Sequence, residues 1–132
     1  MSASWPFVAK LLLQLEQQGF TGVPRYLGAD EAERDIFIYL PGHVPTKLQR
    51  WTDVQVSAAG VLLRKLHDAT RGSTLPGRFL VVCHHDPGPN NTVFLNGVPV
   101  AFIDFDTAVP GEPLEDLGYA AWTWTISARA DR

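Results

Sequence analysis

Three side chains in the second half of the chain are of the types that handle phosphate and metal ions: Asp86, Asn91 and Asp104. Asp86 and Asn91 lie on one short loop stiffened by two prolines, and a predicted hairpin separates Asn91 from Asp104. A loop of this length can fold back on itself, and the paired strands of the hairpin would place Asp104 beside Asn91. The spacing therefore predicts that the three side chains share one cleft.

This trio fits the needs of phosphoryl transfer to a hydroxyl group. That reaction requires an aspartate to accept the hydroxyl proton and oxygen ligands to hold Mg²⁺ against the phosphates. We assign Asp86 as the catalytic base and Asn91 and Asp104 as magnesium ligands, while Asp106 either assists the metal or is a solvated turn carboxylate. The competing interpretation is turn chemistry, because Asp and Asn often bond their own backbone in turns.

Local patterns predict the strands that bring the trio together. A short apolar strand over 79–83 leads into the loop. Asn96-Gly97 between two apolar runs is typical of a β-hairpin, here with strands at 92–95 and 98–103. The hairpin predicts that its two outer ends, which carry the proposed metal ligands, lie side by side.

Three further segments have the spacing of amphipathic helices. The first runs from about 6 to 18, with Ser4 as its expected N-cap, and the second from 52 or 53 to about 69. The third runs from about 114 through 124, after a turn expected at 110–113. Together with the strands, these helices predict an α+β fold.

Two apolar runs between the first two helices predict a second hairpin with a longer loop. The runs are 23–28 and 35–40, and the second is continuous enough to be interpreted as a buried strand. Pro41-Gly42 is expected to end this strand sharply.

Composition favours one folded domain and excludes several classes of function. The chain has 132 residues, 45% of them hydrophobic, and a formal net charge of −3, so it offers no basic field for nucleic acid. No apolar run is long enough to span a bilayer and no secretory signal is recognisable, so a cytoplasmic location is expected. Cys83, the only cysteine, excludes an internal disulfide and is expected to be an inert buried thiol. His43 and His67 lack ligand-spaced partners along the chain, which argues against zinc.

The motif HxDxxxxN starting at His84, followed by IDFD from Ile103, resembles the signature of the aminoglycoside phosphotransferase and choline-kinase-like family. The resemblance implies the three roles given above, with ATP and Mg²⁺ as cofactors, although it does not identify the residues that would hold ATP. It also makes His84 a structural part of the loop. Asp116, within the segment LEDLGYAAW, corresponds to a buried aspartate that braces the catalytic loop.

The resemblance covers nearly the whole chain and implies a partial protein-kinase-like fold in one truncated domain, 1–132. Residues 1–42 correspond to a remnant of the small lobe and the hinge, and 43–132 to the core of the large lobe. The phosphate-covering hairpin and the lysine-bearing strand of usual members are not recognisable, and Lys10, inside a helix, is a poor substitute. Glu16 is the only acidic candidate on the first helix that could pair with such a lysine.

Two positions of the loop depart from the usual family pattern. His85 stands where the family usually has Gly, and Asn90 stands where an aromatic residue is common. Both histidines of the loop, His84 and His85, are expected to be hydrogen-bonded rather than ligands. Each departure argues against ordinary kinase activity.

Segments 19–42 and 100–108 look most like family members that protect cells against ribosomally made peptide antibiotics. We therefore expect a self-immunity or resistance protein that binds the peptide antibiotic or its cellular target, with or without phosphoryl transfer. The alternatives are an active ATP- and Mg²⁺-dependent phosphotransferase for small, aminoglycoside-like molecules, and a remnant without activity. An incomplete lobe also predicts an exposed apolar edge at 36–40, and hence a homo-oligomer or a partner chain.

Overall fold

The computed structural model describes residues 5–47 and 49–126. Within them the chain is an α+β protein, as predicted, with this order of elements: α1 (Trp5–Gln17), β1 (Tyr26–Ala29), β2 (Asp35–Phe37), α2 (Asp53–Thr70), β3 (Val81–Cys83), β4 (Thr92–Leu95), β5 (Val98–Phe102), β6 (Val109–Gly111) and α3 (Pro113–Ala121). The strands form three antiparallel pairs: β1 with β2, β3 with β6, and β4 with β5. A 3₁₀ turn, Pro89–Asn91, precedes β4, and a π-helical turn, Trp122–Ile126, follows α3.

Helices α1 and α2 pack against each other and form much of the core. Each helix buries an apolar stripe: Val8, Leu11, Leu12 and Leu15 on α1, and Ala59, Leu62, Leu63 and Leu66 on α2. Phe102 of β5 and Phe105 after it complete this core. Each of the buried Val, Leu and Phe side chains contributes about 1.5–3 kcal/mol when it leaves water, and this burial holds the hairpin of β4 and β5 against α2.

The helix boundaries follow local signals. Gly19 has φ of +74° just after α1, where a left-handed residue ends the helix, and the expected N-cap Ser4 lies outside the described residues. Helix α2 begins with a reciprocal cap: the Thr52 hydroxyl accepts a hydrogen bond from Gln55 N–H at 3.1 Å, and the Gln55 side chain accepts one from Thr52 N–H at 2.9 Å.

Strands β4 and β5 form the predicted hairpin. Asn96 (φ +53°) and Gly97 (φ +77°) occupy its turn, which needs positive φ at both central residues. At the open end, the N–H of Ile103 donates to the carbonyl oxygen of Asn91 at 2.9 Å. The residues just before β4 and just after β5 are therefore neighbours.

The segment 110–113 is not the turn expected from its prolines. Residues 109–111 form β6, and this strand pairs with β3 so that Pro110 lies opposite Val82. Pro113 begins α3 at its first position, where its missing N–H costs nothing. The last helix ends at Ala121, before the predicted limit, and gives way to the π-helical turn.

The hairpin of β1 and β2 is shorter than predicted, and its second strand is not buried. Ile36 and Ile38 are each 41% exposed and Tyr39 is 81% exposed. An apolar run is buried only where another element covers it, and β2 pairs with β1 alone. The burial prediction is wrong, whereas the apolar edge expected for an incomplete lobe is present.

An aromatic cluster joins the segment before α2 to the end of α3. The rings of Trp51 and Phe94 stack with centroids 5.1 Å apart, and Trp124 packs against both. Among the described residues, no helix has both the length and the apolar composition needed to cross a membrane.

Candidate active site

His84 holds the loop that follows β3 in place. Its side chain is fully buried, its Nδ1 accepts a hydrogen bond from Asp86 N–H at 3.0 Å, and its Nε2 lies 2.8 Å from the carbonyl oxygen of Ile103. Because Nδ1 accepts, the ring proton is on Nε2 and is donated to Ile103. Burial lowers the pKa of His84, which favours the neutral form that this arrangement needs.

Asp86 and Asn91 are in direct contact. The side-chain amide of Asn91 donates to Oδ2 of Asp86 at 2.8 Å and to its backbone carbonyl at 3.1 Å. Asn91 belongs to the 3₁₀ turn, which folds the five-residue segment back as the sequence predicts. The carbonyl oxygen of the Asn91 amide consequently points away from Asp86 and remains an acceptor.

Asp104 follows the hairpin and has φ of +58°, a left-handed conformation that Asp tolerates better than most residues. Its Oδ1 accepts from Asp106 N–H at 3.4 Å. The charges of Asp86 and Asp104 both act on the ring of His84, where they oppose the effect of burial on its pKa. Asp86 and Asp104 thus lie within electrostatic range of one histidine, and the amide and carboxylate oxygens of the predicted trio are the donor types that Mg²⁺ prefers.

Asp116 holds the loop from α3. It is fully buried and accepts hydrogen bonds from the N–H groups of His84 and His85, both at 2.8 Å, and lies 2.7 Å from Nε2 of His67. Burial alone would raise the pKa of Asp116, but the bond with His67 and the two amide bonds outweigh it and hold the pKa below its usual value. An ionised carboxylate with these partners fits the bracing role expected from the resemblance.

A cavity of about 450 Å³ lies between α1, the segment after β2 and the residues after β5. Its walls are mainly apolar and include Ile38 and Leu40, while Asp104 and Asp106 lie at its rim. Small-molecule sites commonly combine apolar walls with a few polar groups in a volume of roughly 300–1,000 Å³.

Two site residues cannot be found from the motif alone. Tyr119 donates from its hydroxyl to Oδ1 of Asp86 at 2.7 Å, and Trp124 donates from Nε1 to the carbonyl of Pro87 at 2.9 Å. Helical spacing could have identified Tyr119, because it lies three residues after Asp116 and therefore on the same face of α3.

Glu16, the expected partner of a nucleotide-binding lysine, pairs with another residue. Its Oε1 lies 2.8 Å from Nε of Arg25, and both side chains are substantially exposed. An exposed pair of this kind adds little stability, about 0–1 kcal/mol.

The geometry can be compared with known proteins. Residues 70–131 match the phosphotransferase enzyme family. This range contains the loop of Asp86, the hairpin, Asp104 and Asp116, so the predicted resemblance is confirmed over the part of the chain that carries the candidate site.

A curated relative extends the likeness towards the N-terminus. The chain is 33% identical, over 131 aligned residues, to the trifolitoxin immunity protein of Rhizobium leguminosarum bv. trifolii. The alignment covers 87% of this chain and 50% of the relative. The chain therefore spans about half the length of the curated relative that it matches.

Proposed function

We propose that this chain acts as a self-immunity protein against a peptide antibiotic of the trifolitoxin type, on a phosphotransferase scaffold and in the cytoplasm. The observation that carries the proposal is the 33% identity to an immunity protein over most of the chain. The contact between Asp86 and Asn91 supports a scaffold with its central polar groups in place.

The side chains have distinct roles in the proposed chemistry. Asp86 accepts the proton of an acceptor hydroxyl, and Asn91 holds the Asp86 carboxylate in place through its amide nitrogen. Asn91 Oδ1 and the carboxylate of Asp104 would hold Mg²⁺, with Asp106 as a further candidate. The bound ion would offset the negative charge of the phosphates.

Protection can also arise from binding alone. In that mode, the apolar residues of β2 and the segment after it contact the peptide antibiotic or its cellular target, and the polar trio only shapes the loop. The exposure of Ile36, Ile38 and Tyr39 supports this mode.

Expression in a peptide-sensitive strain tests the proposal and separates the two modes. Wild type is compared with Asp86→Ala, Asp104→Ala and the control Glu31→Gln, an exposed carboxylate on the loop between β1 and β2. Loss of protection in both aspartate variants, but not in the control, indicates phosphoryl transfer. Retained protection in both indicates binding alone. A wild-type chain that gives no protection contradicts the proposal.

A second candidate is an ATP- and Mg²⁺-dependent phosphotransferase acting on the hydroxyl group of a small molecule. The observation that favours it is the cavity of about 450 Å³ with two aspartates at its rim. Isothermal titration with ATP and Mg²⁺ tests it directly. Micromolar binding that is abolished by Asp104→Ala supports this candidate. A titration that shows no heat of binding argues against it.

A further inference from the structure

A second group of ligand-type side chains lies around the end of β3 and the start of α3. Cys83 Sγ, one imidazole nitrogen of His85 and one carboxylate oxygen of Glu115 all lie within 4.8 Å of one another. Nε2 of His85 lies 3.1 Å from Oε1 of Glu115. We propose that Cys83, His85 and Glu115 form a binding site for one thiophilic divalent cation, with Zn²⁺ as the natural choice.

The mixture of donor atoms selects the type of cation. A thiolate, an imidazole and a carboxylate suit Zn²⁺, whereas Mg²⁺ prefers oxygen ligands only. With metal–ligand bonds of about 2.0–2.3 Å, tetrahedral Zn²⁺ holds its ligand atoms roughly 3.5 Å apart. The His85–Glu115 pair would open slightly from 3.1 Å, the distances to Cys83 Sγ, which are at most 4.8 Å, would close to that spacing, and water can occupy a fourth position.

The backbone around the cluster is shaped to let these side chains meet. His85 has φ of +71°, a left-handed conformation that is costly for a residue with a side chain. Gly111 lies directly beneath the cluster, because a Cβ there would be 2.5 Å from Oε2 of Glu115 and 3.1 Å from Cys83 Sγ. The absence of a side chain at Gly111 thus leaves room for both donors.

Charge around the thiol favours a cation. Burial, together with the negative charges of Asp116, Glu115 and Glu112, raises the pKa of Cys83 to about 12. The Cys83 thiol donates a hydrogen bond to the carbonyl oxygen of Glu112, with Sγ 3.2 Å from that oxygen. Binding would form a metal–sulfur bond and release the thiol proton to solvent, and the same three carboxylates would then stabilise the positive ion.

A competing role for the cluster is a simple hydrogen bond between His85 and Glu115 that ties the loop to α3. That role does not involve the Cys83 sulfur. It predicts an affinity for Zn²⁺ no higher than that of any exposed His–Glu pair. The proposed site would strengthen the same connection with a cation. It is independent of the proposed immunity function and lies outside the trio of Asp86, Asn91 and Asp104.

Metal titration of the purified, untagged chain tests the site. Zn²⁺ alone is added in a calorimeter to wild type, His85→Asn, Glu115→Gln and Cys83→Ser, with His43→Asn as a control that changes an exposed histidine elsewhere. We expect one Zn²⁺ per wild-type chain, an unchanged control, and binding at least about tenfold weaker in the ligand variants. Asn tolerates positive φ, so His85→Asn keeps the loop conformation.

Co²⁺ provides the second readout. A thiolate-to-cobalt absorption band in wild type that is absent in Cys83→Ser identifies sulfur as a ligand. Because Cys83 is buried, the partly exposed variants His85→Asn and Glu115→Gln decide the case if Cys83→Ser does not fold. No Zn²⁺ binding by wild type, equal binding by these two variants, or bound Co²⁺ without the thiolate band would each overturn the proposal.

Discussion

The hydroxyl of Tyr119 donates a 2.7 Å hydrogen bond to Oδ1 of Asp86, while the Asn91 amide donates to Oδ2. Side chains of the same chain therefore occupy both oxygens of the predicted base. A base must lie within hydrogen-bond reach of the proton that it removes. If Asp86 is the base, an acceptor hydroxyl would have to displace the Tyr119 phenol or share Oδ1 with it, and α3 would then form one side of the acceptor position.

The ionisation of Tyr119 should report this contact. The hydrogen bond to Asp86 is the main cause that raises the pKa of Tyr119 to about 12, from an ordinary value of 10.0. We expect Asp86→Ala to lower the pKa of Tyr119 towards 10.0, and ultraviolet absorbance of tyrosinate during alkaline titration measures it. Asp104→Ala is the control and should leave the curve unchanged.

The same shift has a consequence for alkaline stability. Above pH 10 the unfolded chain loses the Tyr119 proton while the folded chain keeps it. The stability that the Tyr119 hydroxyl contributes is therefore complete below pH 10 and is lost as pH rises through about 12. Tyr119→Phe should therefore flatten the fall in stability over that window. An identical fall in Tyr119→Phe would show that another group causes it.

Removal of Asp116 should destabilise the protein strongly. Asp116→Ala leaves the N–H groups of His84 and His85 without their acceptor and His67 without its partner, at an expected cost of about 3–5 kcal/mol. Chemical denaturation followed by circular dichroism measures the loss. Asp68→Ala, an exposed carboxylate on α2, should cost less than about 1 kcal/mol.

The pH dependence of the Asp116 contribution has a definite sign. Since the pKa of Asp116 is lowered in the folded chain, its contribution is present above the ordinary value of 3.8 and is lost as pH falls through the folded value. Asp116→Ala should therefore be less sensitive than wild type to acid below that pH. Equal acid sensitivity of the two proteins would contradict this prediction.

Trp124 should be more important for stability than the neighbouring Trp122. Trp124→Phe keeps an aromatic ring in the cluster but leaves the buried carbonyl of Pro87 without its donor, at a cost of about 1–3 kcal/mol. Trp122 is 52% exposed, so Trp122→Phe should change the free energy of unfolding by less than about 0.5 kcal/mol. Denaturation curves of the two variants provide the comparison, and equal losses would contradict it.

The exposed hairpin should promote self-association. Leu27 is 55% and Tyr39 81% exposed, and the two-stranded sheet of β1 and β2 leaves backbone edges for pairing. We expect wild type to associate with rising concentration and the double variant Leu27→Ser, Tyr39→Ser to do so less. Sedimentation velocity measures both, with Val54→Ser on α2 as an equally polar control. A wild-type chain that stays monomeric at high concentration contradicts this prediction.

Features encoded by a few adjacent residues were predictable. The turn at Asn96-Gly97 depends on two residues that accept positive φ, and the start of α2 depends on Thr52 and Gln55. The contact of Asp86 with Asn91 is similarly local, because it closes a five-residue loop. In each case the interaction partners are close in sequence.

Features that depend on distant partners were missed or mistaken. Residues 36–40 have the composition of a buried strand, but burial requires a covering element and that information is not in the run itself. Pro110 suggested a turn, although β6 pairs with β3. Tyr119 and Glu115 reach their partners across 33 and 30 residues, so motif spacing could not reveal either contact.

The attachment of the loop to Asp116 has a consequence for motion. The amide hydrogens of His84 and His85 are bonded to a side chain of α3, so they can exchange with deuterium only when those bonds open. We expect the loop and the helix to open together as one cooperative unit. A substitution anywhere along α3 that weakens its docking will therefore loosen the polypeptide around Asp86.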